Sequence, residues 1–257
     1  MRIAMALVRA EAIKLRRTSI PTMAVIAAIL ASVTELVNLL DSGGGPPDLR
    51  PPAVIWQNLL QGHWALWLVF FVPMLIALEA ASLANLEHSG NQWKQLFTCP
   101  LPRWTIYATK MLFCGALVSA GFVVSALGFI VDGLIFSGLH GLHLASAIPW
   151  FAIAALTGKA ALACWLPVVI QSWLSARFSG FGIPIGIAFA ALLFGFMMIG
   201  ERLNAIVSWY PWMLPFGTQG RANHPDNTVL PVVFGCVGGI VAGIFACRDL
   251  ARRRDQG

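Results

Sequence analysis

The chain has 257 residues, 58% of them hydrophobic and only 11% charged, which excludes an ordinary water-soluble globule because too little polar surface is present to cover one. The formal net charge of +6 does not point to nucleic acid, since the basic residues flank apolar runs instead of interleaving with aromatic residues on one surface. The 5 cysteines show no CxxC or paired spacing, so neither a disulfide framework nor a zinc site is expected.

In chain order, residues 2–17 come first as a basic, helix-compatible segment. Arg2, Arg9 and Arg16 recur every seven residues and share one helical edge opposite Ala4, Leu7, Val8 and Leu15, as in a helix lying along a membrane surface. The segment leads into a full-length apolar run and not into a short apolar core with a cleavage site, so the first span is expected to stay in the mature protein. Apolar runs near the roughly 20 residues needed to cross a bilayer are expected at about 20–40, 64–85, 108–136, 148–175, 182–200 and 230–247.

The fold class is therefore an all-α polytopic membrane protein with six transmembrane helices. Lys and Arg gather at Arg2, Arg9, Lys14, Arg16 and Arg17, at Lys94, Arg103 and Lys110, at Arg177, and at Arg248, Arg252, Arg253 and Arg254. The opposite side carries Arg50, Arg202 and Arg221. The bias makes the N- and C-termini cytoplasmic. The expected organisation is an amphipathic helix over 1–18, a transmembrane domain over 19–247 with a cytoplasmic loop over 86–107, and a basic tail over 248–257.

Outside the membrane, Gly43, Gly44, Gly45, Pro46, Pro47, Pro51 and Pro52 predict an irregular connection over 41–63. Trp209, Tyr210 and Trp212 in the 201–229 loop suit a headgroup-level belt or a lid over a substrate exit. Inside the spans, Pro73, Pro167 and Pro184 should each kink a helix. Gly235, Gly239 and Gly243, at spacings of four, would let two helix backbones approach, either within the bundle or between subunits.

Ionisable groups within spans are costly and so are functional candidates. Glu79 lies toward the inner end of span two, Lys159 near the middle of span four, and Glu35 and Asp132 toward the outer ends of spans one and three. Lys159 is expected to pair within the bundle. Glu79, about 6 Å away in depth, is the easier partner, and Asp132 is about 10 Å away. The pairing would hold helices together or line a polar translocation path. His140 and His143 supply two ligands and no third, so no metal is expected there.

The segment after span two carries the most information. Trp93, Leu96 and Phe97 give a short helix an apolar patch, Gly90 breaks it from the preceding span, and Pro100 and Pro102 end it. A short helix presenting aromatic residues and Lys94 suits docking into a groove of a soluble partner. The alternative is an interfacial Trp beside a lipid-contacting Lys.

Glu87, Gly90, Trp93, Lys94, Leu96, Pro100, Pro102, Arg103 and Lys110 together resemble the membrane subunits of the ABC-2 type of ABC transporter. Residues Arg9-Ala10-Glu11-Ala12-Ile13-Lys14-Leu15-Arg16-Arg17 are similar to the opening of that family's small permeases, which include subunits protecting cells against lantibiotics. His88-Ser89 departs from the basic residue the family often has after the glutamate.

The resemblance implies a permease of the bacterial cytoplasmic membrane, with Glu87, Gly90, Trp93, Lys94, Leu96, Phe97 and Arg103 coupling it to a separate ATP-binding subunit. It also implies a second permease, identical or related, and export of a peptide or hydrophobic antibiotic. The chain has no G-x-x-x-x-G-K-(S/T) phosphate loop, so no cofactor is expected on it and ATP with magnesium belongs to the partner. Two other classes remain: an ion-coupled transporter relaying protons through Glu79, Asp132 and Lys159, and an intramembrane enzyme. The enzyme lacks both a second metal-binding histidine near Glu87-His88 and a partner for Ser172, Ser175 or Ser179.

Overall fold

A computed structural model of the chain describes residues 9, 12–15, 18–42, 51–89, 102–142, 144–178, 180–199, 207–219 and 228–252. Most of the expected N-terminal amphipathic helix, His143, the end of the basic tail, and Gly90, Trp93, Lys94, Leu96 and Phe97 lie outside these residues.

The described chain is helical: α1 (Ile20–Ser42), α2 (Pro52–Leu66), α3 (Val72–Ser89), α4 (Arg103–Leu139), α5 (Trp150–Ala163), α6 (Trp165–Arg177), α7 (Gly182–Met198) and α8 (Val229–Arg252). Among the described residues, five stretches are long and apolar enough to cross a membrane: Ile20–Asp41, Pro52–Leu86, Arg103–Leu139, Trp150–Arg177 and Val229–Arg252. The expected span at 182–200 is the shorter α7, whose 17 residues reach about 26 Å against a hydrocarbon core of about 30 Å. Outward faces are apolar, as with Val25, Ile29 and Val33 on α1 and Val237, Ile240 and Ile244 on α8. A surface of this kind suits lipid as the surrounding solvent.

The second span corrects the sequence expectation. It begins at Pro52, inside the stretch expected to be an irregular connection over 41–63. Proline is favoured in a helix's first turn, where its missing N–H would have no partner anyway, so Pro51-Pro52 starts the helix instead of preventing it. Ile55, Trp56, Leu59, His63 and Trp64 then form one buried face.

Between α2 and α3 the rod passes through a π-helical segment, Trp67–Phe71, in which the Val72 N–H bonds the Trp67 carbonyl. Pro73 follows directly. Its ring conflicts with a regular α-helical carbonyl four residues back, and the wider turn accommodates it without breaking the span. Pro167 acts differently: the fourth span is interrupted at Cys164, where α5 passes into α6.

The bundle core is built where α1 packs on α4 through Ala24, Ala28 and Ala31, with Trp64 and Trp67 beside Phe122. Trp64 stacks on Phe122 at 5.9 Å, and Trp67 meets the same ring edge-on. Near the end of α4, Trp56 donates its indole N–H to the Leu144 carbonyl at 2.9 Å. Gly141, at φ 64°, turns the chain there as a residue without a Cβ can. α8 packs on α5 and α6, and their far ends are joined by Asp249, which accepts from Trp173 Nε1 at 2.9 Å and Arg177 Nη1 at 3.0 Å.

The glycines of α8 serve this internal packing. A Cβ at Gly235 would lie 2.5 Å from Ala163 Cα, and one at Gly239 would strike Trp165, whereas one at Gly243 would meet only Val169 at 3.9 Å. Gly235→Ala should therefore destabilise the protein by about 1–3 kcal/mol, while Gly243→Ala should be nearly neutral. Thermal unfolding in detergent compares the two, and equal midpoints would contradict this packing.

Candidate functional site

Two buried polar groups are set into the bundle, far apart in depth. The first lies where α1, α2 and α4 meet. Gly62 and His63 are adjacent on α2; Glu35 Oε1 lies 2.9 Å from where a Cβ on residue 62 would stand, so the carboxyl of α1 reaches the backbone of α2. His63 Nε2 is 3.0 Å from Ser125 Oγ, and His63 Nδ1 is 3.9 Å from Asp132 Oδ2. Ser32 of α1 seats against Gly128, one helical turn before Asp132. Glu35, His63, Ser125 and Asp132 are all buried.

The order serine, histidine, aspartate is that of a nucleophilic relay, yet the geometry does not support one. The gap of 3.9 Å from Nδ1 to Oδ2 exceeds hydrogen-bond reach. His63 is enclosed by Phe129 at 5.4 Å and Trp64 at 6.1 Å, and Ser125 is fully buried. The arrangement joins helices: Ser32 of α1 lies close enough to Asp132 to bond its carboxyl, while His63 Nδ1 and Asp132 Oδ2 have no hydrogen-bond partner. Among the described residues, no three of His, Cys, Asp and Glu are arranged to hold a metal ion.

The second group surrounds Glu79 on α3, sixteen residues beyond His63 on the same rod and so about 24 Å deeper. Glu79 is fully buried and neither carboxyl oxygen has a hydrogen-bond partner. Cys114 of α4 is close to Glu79 and to Ser172 of α6. One turn of α6 also presents Gln171, whose Nε2 donates to the Pro184 carbonyl at 2.7 Å and fastens α7 to α6.

The structure therefore brings Glu35 and Asp132 together and keeps Glu79 apart from both. Lys159 pairs with neither Glu79 nor Asp132, against the sequence expectation. Its Nζ reaches Thr228 Oγ1, just before α8, at 3.4 Å. The physical reason is direction: α5 packs on α8, whereas Glu79 lies near Cys114 of α4, and a half-buried lysine extends its ammonium toward the end of the bundle. Arg103 opens α4, and Glu87 lies in the last turns of α3.

His63 is the residue that sequence reasoning missed. Placing 41–63 outside the membrane removed it from the intramembrane candidates, and the helix-starting Pro51-Pro52 was the signal that would have restored it.

Two expectations follow. Ser125→Ala leaves His63 Nε2 buried without a partner and should cost about 1–3 kcal/mol. Combined with His63→Phe, the loss should be smaller than the sum of the single losses, by about 0.5–3 kcal/mol. Unfolding of the four proteins in detergent measures this, and strict additivity would show that the contact contributes nothing. Lys159→Met should leave the unfolding midpoint unlowered, since no acid loses a partner.

No curated protein matches the sequence. Residues 7–200 match the family described as ABC-2 family transporter protein. That region runs from the basic N-terminal segment through α7, taking in both polar groups and the segment between α3 and α4. A multi-helix apolar bundle matched over most of its length in this way belongs to the ABC-2 family of transporter membrane proteins.

Proposed function

We propose that the chain is a permease subunit that exports a peptide, lantibiotic-like, or a hydrophobic antibiotic across a bacterial cytoplasmic membrane. ATP is hydrolysed on a separate nucleotide-binding subunit. The observation that carries this reading is the family match over residues 7–200. Membership in this family implies a membrane-embedded transport subunit working with an ABC ATP-binding subunit. In the proposed topology α7 is the fifth of six spans, both termini are cytoplasmic, and a second copy or a related permease completes the pathway.

The geometry supports a way for the motor to act. The segment over 90–102 joins the ends of α3 and α4, which pack against each other. Trp93 and Lys94, with Glu87, Gly90, Leu96, Phe97 and Arg103, are proposed to dock it on the ATP-binding subunit. A displacement there would be carried along two rigid rods to the junction of Glu35, His63 and Asp132. The π-helical segment Trp67–Phe71 gives one rod a place to bend.

One observation favours a second reading, an ion-coupled carrier: the buried acids Glu35, Asp132 and Glu79 occupy two depths of one bundle. Affinity purification separates the two. The chain should retain a soluble ATPase, and Trp93→Ala together with Lys94→Ala should weaken that retention about tenfold or more. Transport into vesicles should require ATP. Gradient-driven transport by the chain alone would reject the proposal.

A further inference from the structure

On the lipid-facing side of α4, α6 and α8 lies an open groove of about 600 Å³. Leu112, Trp165 and Ile240 line it. Gly243 keeps the trough open, since a Cβ there would meet nothing nearer than 3.9 Å. The same three side chains border a second hollow of about 370 Å³ that continues along α8 to Cys236. From Cys236 to Arg252 the trough follows α8 for about 24 Å.

The groove is apolar except at one end, where Arg248 and Arg252 line it beside the exposed Trp104. The two arginines are four residues apart and so share one helix face. The nearest acid on α8, Asp249, is already held by Trp173 and Arg177, and among the described residues no acid is paired with either arginine.

We propose that this groove binds an anionic phospholipid of the surrounding bilayer, one acyl chain lying along Leu112, Trp165 and Gly243 and the phosphate seated between Arg248 and Arg252. Charge selects this occupant. An apolar trough ending in two cations matches the two halves of such a lipid, and Trp104 sits where an indole is favoured, at headgroup level. A second copy fits poorly. Two copies related by a two-fold axis normal to the membrane would bring Arg248 and Arg252 to the same depth, each pair facing like charge. The small-residue stripe that would tighten such a contact is already spent on α5 and α6, through Gly235 and Gly239.

The test is native mass spectrometry of the chain, purified with any subunit it retains, in detergent containing either phosphatidylglycerol or phosphatidylcholine of identical acyl chains. Each arginine near an anionic headgroup is worth about fivefold in affinity, so preference for phosphatidylglycerol should be on the order of twentyfold. The R248Q/R252Q variant should bind both lipids equally, and these exposed positions leave folding intact, as elution from size exclusion will verify. Gly243→Leu should reduce retention of both lipids by filling the trough.

An undiminished preference in R248Q/R252Q, or full retention in Gly243→Leu, would overturn the proposal. So would efficient cross-linking between copies through Ile240→Cys, which would make the groove a subunit interface.

Discussion

The face of α2 and the following π-helical segment that carries Trp56, Trp64 and Trp67 lies against α4, and the packing of the half of the bundle built on α1, α2 and α4 depends on that contact. Three fully buried indoles supply a large apolar area and a fixed shape. Phe122 is shared by two of them and Phe129 meets the third, so the register of the two longest rods is set at several heights. α1 then needs only a small-residue face to pack closely on α4, and Ala24, Ala28 and Ala31 provide it. In lipid this shape matching matters more than in water, because hydrophobicity alone gives no preference for a neighbouring helix over an acyl chain.

That aromatic seam also encloses polar residues. His63 lies within it, beside Trp64 and Phe129, with Asp132 close by, whereas Glu79 is about 24 Å further along the same rod. The buried acids of the described bundle sit at two depths, Glu35 and Asp132 at one and Glu79 at the other. At the first depth His63 Nδ1 and Asp132 Oδ2, 3.9 Å apart, are left without hydrogen-bond partners.

The other half of the molecule is held by different means. α8 fits the break between α5 and α6 because Gly235 lets its backbone meet Ala163, four residues before Pro167. Proline cannot donate to that carbonyl, so the same residue that interrupts the span makes room for the closest backbone approach. At the far end Asp249 joins Trp173 and Arg177, with the guanidinium 5.3 Å from the indole centroid. The groove with its two arginines is the lipid-facing consequence of this packing.

Hydropathy and charge, both local properties of the chain, were enough to identify an all-helical membrane protein and to place α1, α4 and α8 close to their observed positions. The motifs near the N-terminus and after the second span were enough to point to the family. Other features depended on neighbours distant in sequence. Pro51-Pro52 reads equally as the end of a loop or the first turn of a helix, and the buried face from Ile55 to Trp64 decided between them. Lys159 was within reach of Glu79 by depth, but depth along a helix says nothing about rotation around it; packing turned Lys159 toward Thr228 and Glu79 toward Cys114. Gly235 and Gly239 were equally suited to an internal or an external partner until α5 and α6 occupied them. The sequence thus determined composition, span and period, whereas which faces meet was settled only by the tertiary fold, because side-chain direction depends on the packing of several helices at once.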